Sequence, residues 1–273
     1  MRFNPPMDKR AICLVVAVAF GAATTARPQN RTLTEAEISS ASRLDALTIP
    51  TPGEFFAAMD AAGRPAWSQF VRSGSPATAD SRARIALILG TLVADGYVAV
   101  EAQDGQAVKN IGKEIIALAK KLNVNQSVLG RAGSINDFAE NSDWNALREE
   151  LEATQNEVKL DMAEQKDDRL VTLVSIGAWI RGIELVSGIV AAAYTPEGAK
   201  LLRQPAIADY LVDQIDALPA ATREDPLVAK IREGLKTTGA LVADPVPGAE
   251  QVQQLHSLMK ALEDAIAKDT DTP

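Results

Sequence analysis

Residues 84–102 read RIALILGTLVADGYVAVEA, and residues 170–194 read LVTLVSIGAWIRGIELVSGIVAAAY. Neither stretch alternates with the period of two that a half-buried strand requires, and wound as a helix each is apolar almost all round. A helix of that kind is enclosed on every side, by protein or by lipid. The second stretch is long enough to cross a bilayer, which takes about 20 apolar residues. Arg181 and Glu184, near its middle, weigh against lipid, because each such charge costs roughly 2.5–3.5 kcal/mol there on insertion scales. No second membrane segment is available to pair them. The expectation is therefore two enclosed helices at the centre of a soluble bundle.

The flanking sequence supports an all-α fold. Aromatic residues make up only 4% of the chain, so the packing must rest on Ala, Leu and other good helix formers rather than on strand-forming residues. With Gly, Pro and Asn clusters as breaks, helices are predicted at about 52–62, 64–73, 79–103, 105–122, 142–165, 168–194, 196–217, 224–242 and 249–268. Two of them carry one-sided apolar stripes: Trp144, Leu147, Leu151, Val158 and Met162, and Val252, Leu255, Met259, Leu262 and Ile266. The last helix is expected to close a multi-helix bundle built on the two central buried helices. The chain divides into an N-terminal segment 1–26, a leader 27–51 and one α-helical domain 52–273.

Segment 1–26 has the three-part layout of a secretory signal. Arg2, Lys9 and Arg10 precede an apolar run from Ala11 to Phe20, and small residues follow from Gly21 to Ala26, with cleavage expected near Ala23 or Ala26. The run is too short for a membrane anchor. Cys13, the single cysteine, lies near its start and not at the cleavage point, so no lipid anchor is expected and the mature chain carries no thiol. Loss of Arg2, Asp8, Lys9 and Arg10 with the signal leaves 25 basic and 35 acidic residues, a net charge near −10. Phosphate backbones and anionic lipid would repel such a chain, which weighs against nucleic-acid binding and stable membrane insertion.

An order of helix types occurs twice: an enclosed helix, one of moderate length, and a two-sided one. Gly90 to Gly96 resembles Gly177 to Gly182 with one residue dropped, and Leu147-Arg148-Glu149-Glu150-Leu151 resembles Ile231-Arg232-Glu233-Gly234-Leu235. A duplicated three-helix unit would produce this, and so would chance in a helical chain. Under duplication, Asp95-Gly96 and Arg181-Gly182 occupy equivalent points on the central helices, with the glycines allowing close approach. Asp95 and Arg181 would then face each other in the core, as a structural ion pair or as a polar ligand site.

Few catalytic parts are on offer. His256 is the single histidine, so neither a multi-histidine metal site nor a pair of Glu-x-x-His motifs can be assembled. Gly105, Gly112, Gly130 and Gly133 fit no phosphate-loop or dinucleotide spacing, and no nucleotide or other cofactor is expected. Asp137, Glu140 and Asp143 beside Trp144 could suggest a carboxylate pair, but helix ends explain them better. Lys109, Lys113, Lys120 and Lys121 read as a solvated face. The residues point to an exported periplasmic module that binds or scaffolds, with a protein or a small molecule as partner and without catalysis. The alternative is a small-organic-ligand carrier or sensor with a polar site between the central helices, formed by Asp95, Tyr97, Trp179, Arg181 and Glu184.

Overall fold

The computed structural model describes residues 65–72, 79, 81–124, 130–164 and 167–268. Segment 1–26, the leader 27–51 and the helix expected at 52–62 lie outside the described residues. Among these residues the chain is helical throughout: a 3₁₀ turn at Trp67–Gln69, then α1 (Arg82–Glu101), α2 (Gly105–Lys121), α3 (Ala132–Glu140), α4 (Trp144–Glu164), α5 (Asp168–Ala192), α6 (Pro196–Leu201), α7 (Pro205–Asp216), α8 (Ala220–Arg223), α9 (Pro226–Leu241) and α10 (Ala249–Ala267). The described residues form an all-α bundle with two central buried helices.

Those two helices are α1 and α5. Contrary to the expectation of a single such segment, each is long and apolar enough to cross a membrane, but each is enclosed by neighbouring helices. They run parallel: Arg82 at the start of α1 reaches Asp167, just before α5, at 2.6 Å, and further along Asp95 of α1 meets Arg181 of α5. Where they cross, backbone lies on backbone. A Cβ on Gly90 would overlap the Val174 carbonyl oxygen, and one on Gly177 would overlap that of Leu87. The close approach thus falls at Gly90 and Gly177, not at Gly96 as expected. A Cβ on Gly96 would meet only the Ile111 side chain, at an ordinary 3.8 Å.

Around the pair, α1 also packs on α2, and α3 bridges α2 to α4. The other side of α5 packs on α10, which continues through α9 to α7. Packing therefore does not follow the twofold order of helix types: α1 is covered by the helix that follows it, whereas α5 is covered by the last helix and touches α7 only lightly. Arg84, itself buried, ties the ends of this arrangement together. Its Nη1 donates to the carbonyls of Ala265 at 2.8 Å and Ile266 at 2.9 Å, and also to that of Lys268, satisfying the end of α10.

Three expected boundaries change. Of the helix expected at 64–73, the described residues 65–72 form only a single 3₁₀ turn, because Trp67 is buried and stacks edge-on against Phe70 at 6.4 Å, which folds the chain back toward α1. The expected 196–217 helix is broken into α6 and α7 by Pro205, whose ring and missing N–H suit a first helical position. A helix forms at α3 in a stretch that reads as loop, because Ile135, Phe138 and Ala139 all pack on the core. The helices α1, α2 and α3 each end in a left-handed residue that is not glycine, at Gln103, Asn123 and Ser142.

Candidate functional site

Two places could carry function: an ionic cluster at the core and an apolar hollow beside it. The cluster gathers residues from four parts of the chain. Arg181 Nε lies 2.8 Å from Asp95 Oδ1, its Nη1 pairs with Glu184, and its Nη2 donates to the Phe70 carbonyl at 3.1 Å. From the other side Arg72 Nη2 meets Asp95 Oδ2 at 2.7 Å, while its Nη1 meets Glu263 Oε2 at 2.5 Å. Arg181 is only 3% exposed and Asp95 6%, so this is a desolvated pair completed by further charges.

The electrostatics follow from that burial. Glu263 is pushed up to about 6 by desolvation, against the lowering pull of Arg72 and Arg181, with Glu184 and Asp95 adding to the rise. His256 stands at the rim, its Nδ1 3.1 Å from the Glu184 carbonyl oxygen and 3.8 Å from Glu184 Oε1. Its ring packs over Gly188, where α5 and α10 approach.

Of the residues expected to form a polar site, the structure brings Asp95, Arg181 and Glu184 together. Tyr97 and Trp179 point elsewhere. Tyr97 is fully buried, and its hydroxyl pKa is raised by desolvation and by Glu152. Trp179 Nε1 donates to Gln204 at 3.3 Å, just ahead of α7. Arg72 and Glu263 were not expected. Glu263 had a readable signal: it stands one turn from Met259 and Ile266, on the apolar stripe of the last helix. Arg72 had none, since only the folded path of the chain brings it to Asp95.

Four other acidic groups have ordinary structural roles. Asp143 caps α4, accepting from the Ala146 N–H at 3.2 Å, and Glu140 pairs with Lys109 at 2.8 Å. Asp104 and Asp225 likewise accept at the starts of α2 and α9. No group of His, Cys, Asp and Glu suited to a metal ion occurs among the described residues.

The hollow lies between α1, α2, α3, α4 and α5 and has a volume of about 110 Å³. Leu89 and Val93 of α1, Ile111 and Ile115 of α2, and Leu151 and Val158 of α4 are among the residues of its apolar wall. It is partly open, and Lys113 stands exposed at its edge. Asn136, Thr154 and Gln155 are the other polar residues of the lining, and Thr154 Oγ1 and Gln155 Oε1 are wholly buried and without a hydrogen-bond partner. No protein-family model, curated protein or solved structure matches the chain.

Proposed function

We propose that the chain is an exported periplasmic α-helical binding module without catalytic activity, and that its ligand chamber is the hollow flanked by α1 to α5. The observation that carries this reading is the hollow itself: a partly open, largely apolar space with a few polar groups, lined as a small-molecule site is but, at about 110 Å³, below the ~300 Å³ at which such sites usually begin. The ionic cluster supports it from the other direction. Asp95, Arg72, Arg181 and Glu263 hold one another, so a ligand at that point would have to displace protein partners from the buried Asp95, Arg181 and Glu263. Export rests on the basic, apolar and small-residue layout of residues 1–26.

The test is to express the full chain with its N-terminal segment in a bacterium, extract the periplasm, and analyse the recovered protein by N-terminal sequencing and native mass spectrometry. A start at Thr24 or Arg27 with a co-purified small molecule is the expected result. A start at Met1 in the cytoplasmic fraction would overturn export. A protein that carries no small molecule and binds none from a fragment screen would overturn the chamber.

A further inference from the structure

Among the described residues, one that borders the hollow carries a charge, and in a chain of net charge −8 it is a lysine, Lys113. Its situation follows from how α2 and α3 lie together. A Cβ on Gly105, at the start of α2, would stand 3.1 Å from the Ala139 carbonyl oxygen near the end of α3, and Lys109, one turn along α2, pairs with Glu140 at 2.8 Å. Ala119, late in α2, and Ile135, early in α3, both border the hollow, so the two helices run in opposite directions. One further turn along α2 is Lys113, and one turn back along α3 from Glu140 is Asn136. Both border the hollow. Where the neighbouring turn sets a carboxylate against its lysine, this one offers a neutral amide. The Lys113 ammonium, exposed, and the Asn136 amide, half-buried, consequently have no ion pair or hydrogen bond among the described residues.

An apolar hollow with an unpaired ammonium and a free amide at its edge suits an anion with a hydrocarbon tail, the tail inside and the charge at the rim. Volume sets the length of the tail. Benzene occupies a cavity of ~150 Å³, so the 110 Å³ here takes fewer carbons than its six, about three or four, with the head group left at the opening. The acidity of the chain as a whole does not oppose this, because no carboxylate borders the hollow and charges farther away than about 8 Å are largely screened at physiological salt. We propose, resting on the chamber reading above, that the hollow takes a short-chain aliphatic monocarboxylate. The alkyl tail lies against Ile111, Ile115 and Val158, the carboxylate pairs with the Lys113 ammonium, and the Asn136 amide N–H donates a second hydrogen bond to it.

Butanoate, acetate and butanamide, titrated by ligand-observed NMR against protein recovered from expression of the full chain, test this directly. Acetate lacks the tail and butanamide lacks the charge. Butanoate is expected to bind roughly tenfold more tightly than acetate, the worth of two buried methylenes, and about threefold more tightly than butanamide, the worth of an exposed ion pair. Lys113→Gln, at an exposed position, should bring butanoate down to the level of butanamide and leave butanamide unchanged. Gly112→Leu should abolish binding of both: Gly112 borders the hollow and a Cβ there meets nothing within 4 Å, so the added side chain fills the space without disturbing the helix. Butanamide binding as tightly as butanoate, or butanoate binding unchanged in Lys113→Gln, with both lost in Gly112→Leu, would overturn the carboxylate assignment while leaving the chamber intact. Acetate binding as tightly as butanoate would overturn the placement of the tail. Failure of all three to bind folded protein at millimolar concentration would overturn the carboxylate, and binding unaffected by Gly112→Leu would overturn the chamber as well.

Discussion

Gly90 and Gly177 make one contact twice, in opposite senses. A Cβ on Gly90 would overlap the carbonyl of Val174, three residues before Gly177, and a Cβ on Gly177 would overlap the carbonyl of Leu87, three residues before Gly90. Two parallel helices related by a local two-fold axis meet in this way. The relation places the α1 and α5 backbones in contact and leaves no room for side chains at the crossing. Just beyond it lie Asp95 and Arg181, close enough to pair at 2.8 Å. The remaining helices do not repeat the symmetry, so it is confined to this pair.

Gly90→Ala and Gly177→Ala should therefore each destabilise strongly, by about 3 kcal/mol or more, at the upper end of the cost of overpacking, because the obstructing atoms are backbone and cannot rotate away. Gly96→Ala is the matched control. Its Cβ has room, so the lower entropy of the unfolded chain should leave it neutral or stabilised by about 0.4–1 kcal/mol. Urea denaturation of the three variants distinguishes them, and equal behaviour would mean that the helices do not cross at Gly90 and Gly177.

Glu263 gives the fold a pH dependence of unusual sign. Burial raises its carboxyl from the ordinary 4.5 to about 6, so the native state holds the proton more tightly than the unfolded chain does. Stability from this group is greatest at low pH and falls as pH rises from about 4.5 through 6, by roughly 1–2 kcal/mol. The groups facing it are Arg72, Arg181, Asp95 and Glu184. Exposed paired carboxylates contribute with the opposite slope, so the informative quantity is the difference between wild type and Glu263→Gln. That difference should shift in favour of the variant between pH 4.5 and 7, and a difference independent of pH would show that Glu263 titrates as it would in water.

Arg84 should act as the C-terminal cap of α10. Arg84→Leu leaves the last carbonyls of that helix without their donor, and a loss of about 1–3 kcal/mol is expected. Amide hydrogen exchange should accelerate chiefly in the final turns of α10. A uniform change across all helices would mean that Arg84 contributes only to general packing.

The central helices were legible because they are apolar almost all round and carry a pair of opposite charges. An enclosed helix has no other way to carry Asp95 and Arg181, and the structure pairs them. What escaped reading was tertiary. Arg72 is an unremarkable arginine until the turn at Trp67–Gln69 points it at Asp95, and α3 looks like loop until Ile135 and Phe138 find the core. Gln155 and Glu263 were readable in principle, since each is a polar residue standing where a helical stripe calls for an apolar one. The signal lies in the gaps of a stripe as much as in its members.

Arg181→Met in the otherwise unchanged chain examines the enclosed ionic core most directly. Methionine fills similar volume but leaves Asp95 and Glu184 buried without Arg181, and breaking one side of such a pair costs about 3–5 kcal/mol. Urea denaturation at pH 7 should show the midpoint falling accordingly, with the slope retained. A midpoint and melting temperature equal to those of the wild type would contradict the burial of Arg181 between the two central helices.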